Sequence, residues 1–176
     1  MLYKALFLDR DGVINIEKNY LYKISEFEFI DGIFDVCRYF QKLDYFIVVI
    51  TNQAGIARGL YTEDDFIKLN NWMIGEFKSN NINITKVYYC PHHPEFGVEC
   101  ECRKPRPGMI LRAKAEIGID LQNSILVGDK ISDVEAGINA GVGRNYLITT
   151  ASSIKESRYF NKISNIKELV KHAKRF

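Results

Sequence analysis

Long apolar runs, one-sided charge and a disulfide complement of cysteines are all missing from this sequence. No stretch approaches the roughly 20 apolar residues of a membrane-spanning helix, and the N-terminus runs straight into a short strand-like segment with charge in and after it, unlike a leader. A soluble, cytoplasmic protein without a membrane partner is expected. Lys and Arg total 24 against 22 Asp and Glu, a net charge of +2, with the two signs interleaved. Without a basic stripe, a nucleic-acid partner is not expected. Four cysteines are too few to staple a chain of 176 residues, and Cys90, Cys100 and Cys102 crowd into one short stretch, which points to metal instead of bridges. Cys37 stands apart among Ile33, Phe34, Val36 and Phe40, as a small buried hydrophobe. No repeat, low-complexity tract or Pro/Gly-rich linker divides the chain, so one domain over 1–176 is expected.

What is present is a repeated pattern. Short, continuous apolar runs at 5–8, 46–50, 87–89, 125–127 and 146–148 read as strands buried on both faces, hence as a parallel sheet. Amphipathic stretches at 32–43, 62–79, 107–117, 132–140 and 165–174 read as helices, with Thr62, Pro107 and Ser132 placed at their starts. Alternation of this kind predicts a doubly wound α/β fold, whose ligands bind at the carboxyl ends of the strands. Phe66, Trp72 and Phe77 are expected to pack the core, and Lys167, Lys171, Lys174 and Arg175 to lie on a solvated helix face. Two irregular stretches, 12–31 and 91–107, follow strands at the functional end.

Polar groups collect at those strand ends. The first run closes on Asp9-Arg10-Asp11-Gly12, the second on Thr51-Asn52, and the fourth on Gly128-Asp129-Lys130, while Lys104 follows the cysteine-rich stretch. Asp-x-Asp-Gly is also ordinary turn chemistry, but four such groups at one edge match the needs of phosphoryl transfer. Asp9 and Asp129 can hold a hard cation such as Mg²⁺, and hydroxyl, amide and ammonium donors can neutralise phosphate oxygens. Asp9 can act as nucleophile, and Asp11 can serve as acid for the leaving oxygen and then as base for water.

Cys90, His92, Cys100 and Cys102 form a Cys₃His set suited to a closed tetrahedral Zn²⁺ site. His93 is the rival ligand; His92 is preferred because Cys90-x-His92 mirrors Cys100-x-Cys102. A closed site would be structural and would fix the direction of Arg103 and Lys104 just beyond it. Folding and activity would then both depend on zinc.

These motifs resemble the haloacid dehalogenase superfamily along essentially the whole chain. The resemblance implies Asp9 as nucleophile, Asp11 as acid/base, Thr51 and Lys104 as phosphate stabilisers, and Mg²⁺ on Asp9, Asp129 and the Asp11 backbone carbonyl. Asp133 fits either a supporting acid for that metal or a plain helix N-terminal acid. The Cys-x-His, Cys-x-Cys-Arg-Lys-Pro loop is similar to a cap-less subgroup of phosphatases acting on heptose bisphosphate and on histidinol phosphate. The words from Thr51 to Gly59 and from Tyr88 to Pro94 lean to the heptose type; the short span from His92 to Cys100 leans to the other. By the heptose resemblance, Glu17, Lys18, Asn19, Tyr20, Asn52, Gln53, Ala54, Arg103 and Lys130 contact a small phosphorylated sugar. Arg103 is either a clamp for hydroxyls or a second phosphate, or a solvated loop residue. The implied reaction removes the 7-phosphate of heptose 1,7-bisphosphate, in a monomer, and feeds nucleotide-activated heptose to surface glycan such as lipopolysaccharide core. Histidinol phosphate is the alternative substrate and would call for Glu17 as an acidic subsite. A catalytically silent zinc-stabilised binding module is the alternative of another class.

Overall fold

The computed structural model describes residues 2–97 and 99–173. Its strands are β1 Lys4–Leu8, β2 Tyr45–Asn52, β3 Ile84–Cys90, β4 Ile125–Gly128, β5 Arg144–Ile148 and β6 Asn161–Ile163. Its α-helices are α1 Ile33–Gln41, α2 Ala54–Ala57, α3 Glu63–Ser79, α4 Gly108–Ile117, α5 Ile131–Ala140 and α6 Glu168–Ala173. The strands form one parallel sheet in the order β3-β2-β1-β4-β5-β6. The chain winds outward from β1 in one direction through β2 and β3, and in the other through β4, β5 and β6, so the switch point lies between β1 and β4.

The continuous apolar runs have a simple cause. Side chains alternate across a strand, and both faces of the sheet are covered. Leu6, Leu8, Ile47, Val49, Ile125 and Val127 pack with Ile33, Val36 and Phe40 of α1, Met73 and Phe77 of α3 and Leu169 of α6. Ala5, Phe7, Val48, Ile50 and Leu126 pack on the other face with Met109, Ile110 and Ala113 of α4 and Val134 and Ala136 of α5. Cys37, Phe66 and Phe77 are buried as expected, and Trp72 packs against the first of these cores.

Helix starts follow local chemistry. Thr62 caps α3 by accepting from the Asp65 amide at 3.1 Å, and Asp65 Oδ2 accepts from the Thr62 amide at 2.9 Å. α5 begins one residue earlier than expected, at Ile131, because the Lys130 amide donates to Asp133 Oδ2 at 3.0 Å and makes Lys130, not Ser132, the cap position. The final helix starts at Glu168, not 165, and Lys174 and Arg175 of the expected basic face lie outside the described residues. β6 and α2 carry three and four residues, too few to show a period.

The stretch 12–31 is more ordered than a loop. Ile16 donates to Glu28 at 2.9 Å and Ile30 to Ile14 at 2.9 Å, an antiparallel bridge pairs Asn15 with Phe29, and Val13 and Ile14 are fully buried. This flap stands beside the carboxyl ends of the strands.

Candidate active site

A cleft of about 500 Å³ opens at the switch point, lined by Asp9, Asp11, Thr51, Gln53 and Lys104, with Glu17, Asn19 and Tyr20 of the flap at one side and His93, Arg103 and Lys130 at the others. Asp9 follows β1, and its amide donates to the Val127 carbonyl of β4 at 3.0 Å, so the two central strands set its position. Only 5% of Asp9 is exposed. Its Oδ1 accepts from the Arg10 amide at 2.7 Å and from Lys104 Nζ at 2.9 Å, which leaves Oδ2 for other chemistry.

Lys104 Nζ also reaches Asp133 Oδ1 at 2.7 Å and the Ile50 carbonyl at 3.1 Å, so all three ammonium donors are used. Its backbone is held from the sheet by Asn52, which accepts from the Lys104 amide at 3.1 Å and donates to its carbonyl at 3.2 Å. Asp133 is 1% exposed: one oxygen accepts from the Lys130 amide at the start of α5 and the other pairs with Lys104, so it serves the helix start and also stands in the acidic cluster.

Carboxylate oxygens of Asp9, Asp129 and Asp133 lie within 4.8 Å of one another; Lys104 pairs with Asp9 and Asp133, and the Lys130 charge acts on Asp129. Burial pushes the Asp9 carboxyl well above its ordinary range; Lys104 opposes that rise, and the charges of Asp133 and Asp11 add to it. Burial, then the Asp133 charge, raises Asp129 to about 6. For Lys104, burial would lower the pKa, but Asp133 and Asp9 outweigh it and the ammonium is raised. Asp129 Oδ1 is buried without a hydrogen-bond partner. A buried carboxylate oxygen with no donor, in an acidic cluster with excess negative charge, fits a hard divalent cation. Gly12, at φ +87°, makes room for it: a Cβ there would stand 2.2 Å from Asp129 Oδ2.

Asp11 is turned toward a ring of donors. Arg10 Nη2 reaches both of its oxygens, at 3.0 and 2.9 Å, Asn15 Nδ2 donates at 3.0 Å, and Gln53 Nε2 at 3.2 Å. Arg10 is 1% exposed and also donates to the Leu21 carbonyl, tying Asp11 to the flap. Its cation and its burial were not foreseen, since in sequence it is only the spacer of Asp-x-Asp.

On the flap, Asn19 and Tyr20 adopt φ of 47° and 59°, a costly conformation for residues with a Cβ, and the Glu17 carboxylate helps hold it by accepting from the Asn19 amide at 3.0 Å. The other Glu17 oxygen pairs with Lys130 at 3.0 Å. Lys18 stands apart from the cleft: its ammonium donates to the Glu26 carbonyl at 2.9 Å and pairs with Glu28. Asn52 and Ala54 line the cleft from the end of β2 and the start of α2.

Cys90, His92, Cys100 and Cys102 converge. Cys90 Sγ lies 3.5 Å from Cys100 Sγ and 3.7 Å from His92 Nδ1, and His92 Nδ1 lies 3.3 Å from Cys102 Sγ. These separations are close to the edges of a tetrahedron with metal bonds of about 2.0–2.3 Å, and all four thiols of the chain are free. His93 points the other way, into the cleft, with Arg58 Nη2 at 3.1 Å from its Nε2. Arg103 reaches back to the His92 carbonyl at 3.1 Å. Tyr61 is a further cleft residue that sequence reading passed over; it sits beyond the Thr51-Asn52-Gln53 turn with no motif of its own.

Comparison with known proteins supports the same class of fold. The HAD-hydrolase-like family model matches residues 101–159. The chain is 52% identical over 170 residues to D-glycero-alpha-D-manno-heptose-1,7-bisphosphate 7-phosphatase of Campylobacter jejuni, covering 97% of this chain and 95% of that one. It is 45% identical over 155 residues to the D-glycero-beta-D-manno-heptose-1,7-bisphosphate 7-phosphatase of Escherichia coli K12, covering 85% and 81%. In structure it is similar to D,D-heptose 1,7-bisphosphate phosphatase of B. bronchiseptica, solved in complex with magnesium and phosphate, with a TM-score of 0.86, 26% identity and 98% of each chain covered. With its doubly wound sheet, its acidic cluster at the switch point and relatives alike over nearly their full length, the chain belongs to the heptose-1,7-bisphosphate 7-phosphatase family of HAD-like hydrolases.

Proposed function

We propose that this protein hydrolyses the 7-phosphate of D-glycero-α-D-manno-heptose 1,7-bisphosphate, giving heptose 1-phosphate and inorganic phosphate. The observation that carries the reading is the Asp9 carboxylate, held by one oxygen on Lys104 and the Arg10 amide with the other left for attack. Asp9 Oδ2 forms the bond to phosphorus while the bond from phosphorus to O7 breaks, and Asp11 gives O7 its proton. Water then attacks the aspartyl-phosphate, Asp11 takes its proton, and Asp9 is released. The Thr51 hydroxyl donates to a phosphoryl oxygen, and Lys104, whose three donors are already placed, offsets the phosphoryl charge through its field. Asp9, Asp129 and the Asp11 backbone carbonyl would hold Mg²⁺, with Asp133 in support, and a bound Mg²⁺ supplies positive charge to the phosphoryl group. Glu17, Asn19, Tyr20, Asn52, Gln53, Ala54, Arg103 and Lys130 surround the sugar, while Lys18 acts by holding the flap. Zn²⁺ is the metal that the Cys90, His92, Cys100 and Cys102 donors suit.

Glu17 argues against histidinol phosphate. A cationic amine there would compete with the Lys130 ammonium already paired to Glu17, whose other oxygen holds the Asn19 amide. The α anomer is favoured because the relative named for it is 52% identical and the one named for the β anomer 45%. The product would feed nucleotide-activated heptose for surface glycan. Residues 1–176 form one catalytic unit in this reading, acting as a cytoplasmic monomer; no helix among the described residues is long and apolar enough to cross a membrane.

The test is phosphate release, with magnesium, from both heptose bisphosphate anomers and from histidinol phosphate, with Asp9→Asn as blank. The highest kcat/KM is expected on the α anomer. Preference for histidinol phosphate would overturn the substrate, and equal release by Asp9→Asn would overturn the mechanism.

A further inference from the structure

The hydrogen bonds around Gln53 form a chain whose direction is set at one end, and Tyr61 closes the other. Gln53 is 2% exposed. Its Nε2 lies 3.2 Å from Asp11 Oδ2 and 2.8 Å from Thr51 Oγ1, and its Oε1 lies 2.6 Å from the Tyr61 hydroxyl. The amide NH₂ therefore faces Asp11 and Thr51 and donates to both. The carbonyl oxygen then faces Tyr61, and the phenol must donate. The same NH₂ gives its second hydrogen to Thr51, which leaves the Thr51 proton directed away from Gln53 and toward the cleft that Thr51 lines.

The ring of Tyr61 is itself held in place. It stacks on Tyr22 with centroids 5.4 Å apart and planes 16° from parallel. Gly55 gives it room, since a Cβ at 55 would stand 2.1 Å from a ring carbon. Burial raises the phenol to about 12, so the donated proton stays through the neutral range.

We infer that Tyr61 is a positioning residue for phosphoryl transfer: its hydroxyl holds the Gln53 amide in the orientation that presents Thr51 as a donor to the phosphoryl group. This rests on the proposed reaction. Without the hydroxyl, Oε1 is buried with no donor and the amide loses the tether at that end, so it can shift off Thr51. An amide that has shifted no longer fills the acceptor side of the Thr51 hydroxyl, and the Thr51 proton is then free to turn away from the phosphoryl oxygen.

The experiment is Tyr61→Phe, which removes one oxygen and keeps the ring stack, measured with Gln53→Leu and the double variant on heptose 1,7-bisphosphate with magnesium. A kcat about 10- to 100-fold below wild type is expected for Tyr61→Phe, the range given by one buried acceptor left unpaired, with KM within about two-fold. The double variant should be no slower than Gln53→Leu alone, because Tyr61 acts through that amide. Thermal unfolding of each variant separates this from a loss of fold, and wild-type kcat per folded molecule would overturn the role. So would effects that multiply in the double variant, or a loss confined to KM, which would mark a direct substrate contact. A wild type that releases no phosphate overturns the reaction and the role together; an active wild type matched by Tyr61→Phe overturns the role alone.

Discussion

Replacing Asp129 by Asn should stabilise the magnesium-free protein while destroying its response to magnesium. In the folded chain Asp129 is raised from 3.8 to about 6, so ionising it costs more folded than unfolded. Below the unfolded value the group is protonated in both states and contributes nothing. Between the two values a penalty builds, and above about 6 it is complete, so this contribution to stability is lost as pH rises. A shift of about two units corresponds to ~3 kcal/mol, and for a chain of this size to roughly 6–12 °C in Tm. Asn carries no charge, and its NH₂ would face the acceptor oxygens of Asp9 and Asp133 in the same cluster. Thermal unfolding in EDTA should therefore put Asp129→Asn well above wild type at about pH 8 and level with it near pH 4. Saturating magnesium should raise wild type at pH 8 and leave the variant unmoved, because only the wild type has the full ligand set. The reasoning fails if the variant is no more stable than wild type in EDTA at pH 8, or if magnesium raises both alike.

Gly12→Ala should cost about 1–2 kcal/mol in stability from its left-handed backbone alone and, through the 2.2 Å clash of the new Cβ with Asp129 Oδ2, weaken magnesium activation by about ten-fold or more; a magnesium titration of phosphate release, run beside a melt, separates the two effects. Cys102→Ser should lose the bound zinc, counted by metal analysis, and should raise KM for the bisphosphate by about ten-fold while lowering kcat less, since Arg103 and His93 hang on the zinc loop and Lys104 is held independently by Asn52. A kcat loss with KM unchanged would show that the loop supports the chemistry directly.

The sheet and the strand-end residues were legible because their signals are local. A strand covered on both faces must be apolar throughout, and Asp9, Thr51 and Asp129 sit where those runs stop. The Cys₃His set was legible for the same reason, being one excursion of the chain. Arg10, Tyr61 and the order within the flap were not. Arg10 is a charged residue whose burial is offset by Asp11 and by the Leu21 carbonyl, from a segment later in the chain, which pair with its Nε and Nη2, and no pattern in its neighbours announces that. Tyr61 depends on an amide eight residues earlier and on a glycine that clears its path. Lys18 shows the converse: the motif brings the whole of residues 17–20 to the cleft, but the backbone turn at Asn19 and Tyr20 aims the side chain between them and Glu17 elsewhere.

Two adjacent cations show how the fold divides labour at the site. Lys104 must stand within hydrogen-bond reach of Asp9 whatever substrate arrives, and it is held by the sheet through Asn52 and buried against Asp133. Arg103, one residue earlier, is in the proposed reading a contact for the far part of the substrate, and its guanidinium is anchored to the His92 carbonyl in the Cys₃His loop. His92 and His93 repeat the division, the first turned to the thiols and the second to the cleft. In the proposed reading the chemistry is thus fixed by the core of the sheet and the recognition by the Cys₃His loop, so the loop can change in length and sequence without disturbing the distance between Lys104 and Asp9. That separation explains how a short span between His92 and Cys100, which leaned toward a different substrate when read alone, is compatible with a site whose flap carboxylate Glu17 is already paired with Lys130.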